Sequence, residues 1–132
     1  DLIVTHSPED YHPDHRSLSK IVSDIAGFKC PLILADTLMG VGFVPEIYVD
    51  ITDHFEDKLN AILAHDSQNP NKFIEATTIL NRFRSAQCNG PKNTYAEAYR
   101  FDKRFPFSYI NDLLPKSPKY RPYYKKKSDG LI

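Results

Sequence analysis

Short apolar runs alternate with helix-like patterns in the first part of the chain. Residues 2–4 form a continuous apolar run, typical of a strand buried on both faces of a parallel sheet. Apolar side chains then recur with helical spacing at Leu18, Ile21, Val22 and Ile25. This spacing predicts one apolar helix face, with Pro13 at the first helical position and Gly27 at the C-terminal end. Together, the strand, the polar loop and the helix predict a βα unit of an α/β fold.

The alternation of strand-like and helix-like patterns continues further along the chain. Strands are predicted at 32–35, 47–51 and 95–101, and helices at 55–63 and 73–83. Asp53 followed by Glu56 resembles a capping box and predicts the start of the first of these helices. Asn69 before Pro70 predicts the start of the second. Residues 102–132 are rich in Tyr, Pro and Lys and predict a tail that either wraps the domain or is partly disordered.

Charge and composition argue against several classes of function. The 17 Lys and Arg residues balance 17 Asp and Glu residues, so a field that attracts nucleic acid or a membrane surface is not expected. No apolar run approaches the roughly 18 residues of a membrane-spanning helix. Cys30 and Cys88 are too few for a disulfide framework or a cysteine zinc site, so the cytoplasm is the expected compartment.

The first residues of the chain point to a longer protein. Asp1 stands directly before the first apolar run, with neither a Met nor a polar lead-in. Because an interior strand rarely begins a natural chain, we expect these 132 residues to be a piece of a larger polypeptide.

A cluster of histidines follows the first predicted strand. Three of the five histidines, His6, His12 and His15, fall within the first 15 residues. In open α/β sheets, ligands bind at the carboxyl ends of strands, where this cluster is expected. A neutral imidazole can bind zinc or act as an acid or base, and Asp14 could fix the tautomer of a neighbouring imidazole. The alternative is a solvent-exposed polar loop, which would carry the same residues without a metal or catalytic role. His12 and His15 alone do not complete a zinc site.

Three blocks of sequence resemble the PIG-L/LmbE family of zinc-dependent N-acetylglucosaminyl deacetylases. Residues 2–16, which include His12-Pro13-Asp14-His15, resemble the second signature of that family. Val49-Asp50-Ile51-Thr52, Lys58, Ala61 and His65-Asp66-Ser67-Gln68 resemble its next block, and Tyr95-Ala96-Glu97-Ala98-Tyr99 resembles a third. The blocks occur in the family's order and cover roughly residues 1–101.

The resemblance implies a Rossmann-like layered α/β fold with a mostly parallel sheet. The 132 residues would be the C-terminal part of a single domain, because nothing in them matches the family's first signature. In the family, that signature supplies a His and an Asp to zinc and a second Asp as general base. The remaining zinc ligands are therefore expected in a missing N-terminal part of the same domain.

The resemblance also implies roles for individual residues. His15 resembles the third zinc ligand. His12 resembles the histidine that stabilises the oxyanion and protonates the leaving amine, and Asp14 resembles the carboxylate that orients it. Asp10 could contact substrate or support its own loop, and Glu97 could approach the site or form a structural salt bridge.

Other residues near these blocks are predicted to have structural roles. Asp50 is expected to serve loop geometry between a strand and a helix. His6, His54 and His65 are read as structural or exposed. Each of these predictions rests on sequence position alone and is separate from the zinc and catalytic roles.

The expected activity is hydrolysis of an N-acetyl group from an N-acetylglucosamine conjugate, with release of acetate. The 132 residues alone are expected to be inactive, because the base and two ligands would lie elsewhere. The alternative is a non-catalytic or split α/β module that acts in partner or sugar binding. Nucleic-acid binding through the basic tail is a weak third hypothesis, against which the balanced charge argues. No membrane partner is expected, and homo-oligomer formation is left open.

Overall fold

The computed structural model describes residues 2–26 and 29–102 and has a mixed α/β architecture. The strands are β1 (Ile3–Thr5), β2 (Leu32–Ala35), β3 (Ile47–Asp50) and β4 (Ala96–Phe101). The helices within the described residues are α1 (Pro13–Ala26), α2 (Phe55–Leu63) and α3 (Asn71–Gln87). All seven predicted elements are therefore present, with bounds shifted by a few residues. The predicted helix end at Gly27 and the tail after Asp102 lie outside the described residues.

The four strands form one mixed sheet in the order β1-β2-β4-β3. β1 pairs with β2 in parallel, with Val4 opposite Ile33. β2 pairs with β4 antiparallel, with Leu34 opposite Arg100. The prediction of a mostly parallel sheet is therefore wrong, because apolar runs reveal that strands exist but not the direction in which distant strands pair.

The described chain divides into two compact units. The first contains residues up to Ile47 together with those from Ala98 to Asp102, and the second is Tyr48–Glu97. Buried apolar side chains of the first unit are Ala26, Leu32, Ile33, Leu34, Phe43, Ile47 and Ala98. In the second unit the Phe55 ring is buried and stacks on Tyr95, with 3.6 Å between the ring centroids.

Helix α1 turns its small residues, rather than its large apolar ones, towards the interior of the first unit. Ser19, Ser23 and Ala26 are buried, and the Ser23 hydroxyl donates to the Asp102 carboxylate over 3.1 Å. Leu18, Ile21 and Ile25 are 46%, 54% and 66% exposed. The predicted apolar face is therefore largely exposed, and the helix packs on the interior of the first unit through small side chains and the hydrogen bond from Ser23 to Asp102.

Strand β1 lies at the edge of the sheet, which explains its partial burial. Thr5 is buried, but Val4 is 55% exposed. The prediction of a strand buried on both faces is therefore wrong for β1. It holds better for β2, an interior strand whose residues Leu32, Ile33 and Leu34 are all buried.

Both predicted capping signals of the second unit are replaced by other local structure. Helix α2 begins at Phe55 after a short 3-10 turn over Thr52–His54, and no side chain caps its start. Helix α3 begins at Asn71, while Asn69 adopts a left-handed conformation with φ of 49°. None of the helices in the described residues is long and apolar enough to cross a membrane.

The predicted loop role of Asp50 is confirmed. Its Oδ1 accepts hydrogen bonds from the main-chain N–H of Thr52 at 2.9 Å and from the Thr52 hydroxyl at 2.6 Å. Such bonds from an Asp side chain to the residue two positions on are typical of turns that leave a strand. The Asp50 side chain therefore shapes the short connection from β3 to α2.

Candidate metal centre

The loop from β1 to α1 is folded back on itself by local hydrogen bonds. The main-chain N–H of Asp10 donates to the Ser7 carbonyl at 3.1 Å. The Asp10 carboxylate in turn accepts from the main-chain N–H of His12 at 2.9 Å. Arg16 donates to the carbonyls of Asp10 and Tyr11 at 2.8 and 2.7 Å. The loop thus carries its polar side chains back over the first turn of α1.

This folding brings His6, Asp10 and His15 together. One possible ligand atom from each residue lies within 4.8 Å of the other two. Nδ1 of His15 is 3.0 Å from Oδ1 of Asp10, and the His6 and His15 rings stack in parallel with centroids 4.0 Å apart. Asp10 is buried and the two histidines are half-buried. The group could hold a metal ion.

The donor set and spacing of this group fit a transition-metal ion. Two imidazoles and a carboxylate are the ligands that zinc takes at sites that keep one position open. Bonds of about 2.0 Å in tetrahedral geometry place ligand atoms roughly 3.3 Å apart. Because the ligand atoms of His6, Asp10 and His15 already lie within 4.8 Å, rotations of these side chains would suffice to close around an ion.

The environment of His6 favours its neutral form. Burial lowers the pKa of the His6 imidazole below its ordinary value, and the charge of His15 lowers that pKa further. The Asp10 carboxylate opposes the shift without overcoming it. A neutral imidazole offers a free ring nitrogen, which is the form that a metal requires.

Asp10 also orients His15. A proton on Nδ1 of His15, donated to the carboxylate 3.0 Å away, leaves the lone pair on Nε2 free. This carboxylate–histidine arrangement is the usual way in which proteins fix the tautomer of a metal-binding imidazole. Of the two roles predicted for Asp10, the structure supports the loop-supporting one and adds membership of the candidate metal group.

His12 and Asp14 lie beside the group, His12 directly before α1 and Asp14 in its first turn. The His12 ring centroid is 4.9 Å from that of His15. Asp14 contacts His12 through its main-chain N–H, which donates to Nδ1 at 3.2 Å. The Asp14 carboxylate is 3.9 Å from the same nitrogen and 88% exposed. With Nδ1 accepting, the proton of the neutral His12 ring sits on Nε2.

Glu97 belongs to the second unit, where it forms an ion pair. Its carboxylate accepts a hydrogen bond from the ammonium group of Lys58 at 2.6 Å, and both side chains are about 30% exposed. The salt-bridge alternative for Glu97 is therefore present in the structure.

A double-mutant cycle on this pair tests the structural role of Glu97. Glu97→Gln and Lys58→Met should each destabilise the protein, and their effects should not add, with a coupling energy of about 0.5–1 kcal/mol. Chemical denaturation of the wild type, both single variants and the double variant measures this energy. Additive effects would show that the ion pair does not stabilise the fold.

The sequence prediction missed His6. It was read as structural or exposed, but it is half-buried, stacked on His15 and part of the candidate metal group. No periodicity links His6 to Asp10 and His15, because the three residues lie on a strand end, a loop and a helix. His54 and His65 are exposed, in agreement with the prediction for them.

A second set of contacts flanks the group on the same loop. Arg100 of β4 donates to the Glu9 carboxylate at 2.5 Å, and the Ser7 hydroxyl also donates to that carboxylate. Burial would raise the pKa of Glu9, but the hydrogen bonds from Arg100 and Ser7 outweigh burial and lower it. Glu9 is therefore ionised and paired.

A cavity of about 480 Å³ opens next to this loop within the first unit. Its polar lining residues are Glu9, Ser19, Lys20, Ser23, Arg100 and Asp102. The lining combines charges of both signs and two hydroxyl groups with apolar surface from Pro8, Leu34 and Phe101, and it shows no strong preference for cations or anions. Pro8 and Glu9 line the cavity, and the next residue, Asp10, belongs to the candidate metal group. The cavity and the candidate metal centre therefore share the same loop.

Comparison with known proteins found no matching family model, curated protein or solved structure. The likeness to the deacetylase family therefore rests on the sequence blocks at residues 2–16, 49–68 and 95–99. To the first of these blocks, the structure adds the juxtaposition of His6, Asp10 and His15, with His12 beside them.

Proposed function

We propose that this chain carries part of the active site of a zinc-dependent N-deacetylase of the PIG-L/LmbE type. The observation that carries the proposal is the convergence of His6, Asp10 and His15, with His12 adjacent to them. In this proposal, the complete domain has a Rossmann-like layered α/β fold and lies in the cytoplasm. It removes the acetyl group from a small N-acetylglucosamine conjugate.

Zinc is the metal that we assign to the group. His6, Asp10 and His15 would hold it, since two imidazoles and one carboxylate suit zinc better than calcium or magnesium. The bound ion would polarise the amide carbonyl and lower the pKa of a bound water. The resemblance alone expected the partners of His15 in another part of the domain, whereas here His6 and Asp10 are available within the chain.

His12 is the acid–base residue of the proposal. In the neutral ring, Nε2–H can donate a hydrogen bond to the oxygen that gains charge when the acetamide carbonyl is attacked. To protonate the leaving amine, the ring would first have to take up a second proton, and it would return to the neutral form when it gives the Nε2 proton to the amine. The Asp14 main-chain N–H holds the ring through Nδ1 in the tautomer that places this proton on Nε2. In the cationic ring, Nδ1 would instead carry a proton and could turn to the Asp14 carboxylate.

The adjoining cavity supports a substrate body with both polar and apolar surface. Its hydroxyl groups, paired charges and apolar walls suit an amino sugar, which carries hydroxyl groups and apolar C–H surface, better than a highly charged ligand. Glu9 and Arg100 would line the entrance nearest the loop. The volume of about 480 Å³ falls within the range of small-molecule sites.

Zinc content and acetate release test the proposal together. The chain should bind one zinc per molecule after dialysis against zinc and then buffer, as measured by elemental analysis. The natural full-length protein should release acetate from N-acetylglucosamine conjugates, and a chelator should stop it. The 132 residues alone should turn over poorly, because the resemblance puts the general base in a signature that they do not contain.

Two outcomes would contradict the proposal in different ways. A chain that retains no zinc would overturn the metal assignment and the deacetylase with it. Stoichiometric zinc without acetate release from any N-acetylglucosamine conjugate would instead favour the non-catalytic alternative, in which the module binds a partner or a sugar.

A further inference from the structure

Arg100 connects the sheet to the loop that carries the candidate metal ligands. It lies on β4 opposite Leu34 of β2, so its main chain is held by the interior of the sheet. Its guanidinium carbon lies 5.3 Å from the centroid of the buried Phe43 ring, a cation–π contact. The Arg100 side chain is only 15% exposed. Arg100 is therefore a fixed support rather than a mobile surface residue.

The guanidinium group of Arg100 engages two side chains of the loop. One nitrogen donates to the Glu9 carboxylate at 2.5 Å and lies 3.4 Å from the Ser7 hydroxyl oxygen. Ser7 is completely buried, and its hydroxyl donates to the same Glu9 carboxylate. The three side chains form a closed hydrogen-bonded set, in which loss of one member leaves another without its partner.

Ser7 and Glu9 are interleaved with the metal group along the loop. Ser7 follows His6, and Glu9 precedes Asp10. The Ser7 carbonyl also accepts from the Asp10 main-chain N–H, which closes the turn between the two. The contacts to Arg100 therefore act on the turn that determines how far apart His6 and Asp10 lie.

We propose that Arg100 is a positioning residue for the metal group and acts through Glu9 and Ser7. By holding the turn in place, Arg100 reduces the reorganisation that the loop must undergo when His6, Asp10 and His15 close around an ion. This inference rests on the proposed metal site. It goes beyond that site, because Arg100 touches none of the three candidate ligands in the contacts described.

Cobalt(II) binding to the whole chain tests this role without a substrate. Calorimetry gives the Kd, and the visible absorption of cobalt reports the number and geometry of its ligands. Arg100→Ala should raise the Kd about 10- to 100-fold, the usual cost of losing a residue that supports metal ligands, and should alter the cobalt spectrum. Arg100→Lys keeps the charge but loses the planar guanidinium group that lies over the Phe43 ring, and should recover part of the affinity.

Arg82→Ala is the matched control. Arg82 is an exposed arginine of α3, in the second unit, and it does not line the cavity beside the loop. The Kd of this variant should stay within about twofold of wild type, as expected for an exposed side chain. Glu9→Gln should reproduce the effect of Arg100→Ala, and the double variant should be no worse than either single one.

The outcomes separate this inference from the proposed function. If the wild type binds no cobalt or zinc, both are overturned. If it binds and Arg100→Ala matches Arg82→Ala in Kd and spectrum, only the role of Arg100 is wrong. Should Arg100→Ala fail to fold, as seen by circular dichroism, Glu9→Gln decides the question. A wild-type Kd in Glu9→Gln overturns the inference, and a raised Kd with native circular dichroism supports it.

Discussion

Replacing His15 with alanine should abolish stoichiometric zinc binding. His15 is the member of the candidate group that contacts both others, with its ring stacked on His6 and its Nδ1 3.0 Å from the Asp10 carboxylate. Its removal takes away one ligand and leaves Asp10 without the imidazole that it orients. We expect the Kd for zinc to rise by more than about 100-fold, beyond the cost of losing a supporting residue. Calorimetry and elemental analysis measure the change.

His54→Ala is the control for this prediction. His54 is 80% exposed and lies in the second unit, where its nearest charged neighbour is Asp57 at 3.7 Å. The His54→Ala substitution removes an imidazole, as His15→Ala does, but not one of the candidate metal ligands. The zinc content of this variant should therefore equal that of wild type. Equal zinc affinity in His15→Ala and wild type would show that the metal centre has been wrongly assigned.

Replacing His12 with alanine should lower turnover while leaving zinc bound. His12 lies beside the metal group, and its Nε2 proton is the one available for the oxyanion and the leaving amine. Loss of a general acid of this kind typically costs about 10²- to 10⁴-fold in rate. We therefore expect kcat in the full-length protein to fall by at least about 100-fold, with zinc content unchanged. Acetate release and elemental analysis on the same samples test both parts.

Loss of zinc in His12→Ala would carry a specific meaning. The centroids of the His12 and His15 rings are only 4.9 Å apart, so an exchange of their roles is the nearest competing arrangement. In that case His12 would be the ligand and His15 the acid. His65→Ala, which removes an exposed histidine of the second unit, should change neither zinc content nor turnover.

Local patterns were enough to predict the βα unit but not the way in which it packs. Pro13 begins α1 as predicted, because a missing N–H costs nothing at the first helical position. The spacing of apolar residues predicts an apolar face on α1, yet the buried residues include Ser19 and Ser23 while Ile25 is exposed. Hydropathy alone does not register the hydrogen bond from Ser23 to Asp102, a residue 79 positions away.

The sequence alone predicts only part of the candidate site. His12 directly precedes α1 and His15 lies in its first turn, three positions on, and that spacing is a local signal. His6 joins them only because the loop folds back through the bonds of Asp10 to its own neighbours. The support from Arg100 depends on the pairing of β4 with β2, which no short motif encodes.

The short span of chain between the candidate ligands has a consequence for folding. His6 and His15 are nine positions apart, with Asp10 between them. The entropy lost on closing a loop grows with the logarithm of its length, so closing this one costs little. A chelate so local can form before distant strands pair, and an ion held there would tie the end of β1 to the start of α1. Amide hydrogens of the loop would then exchange slowly even while other parts of the chain open.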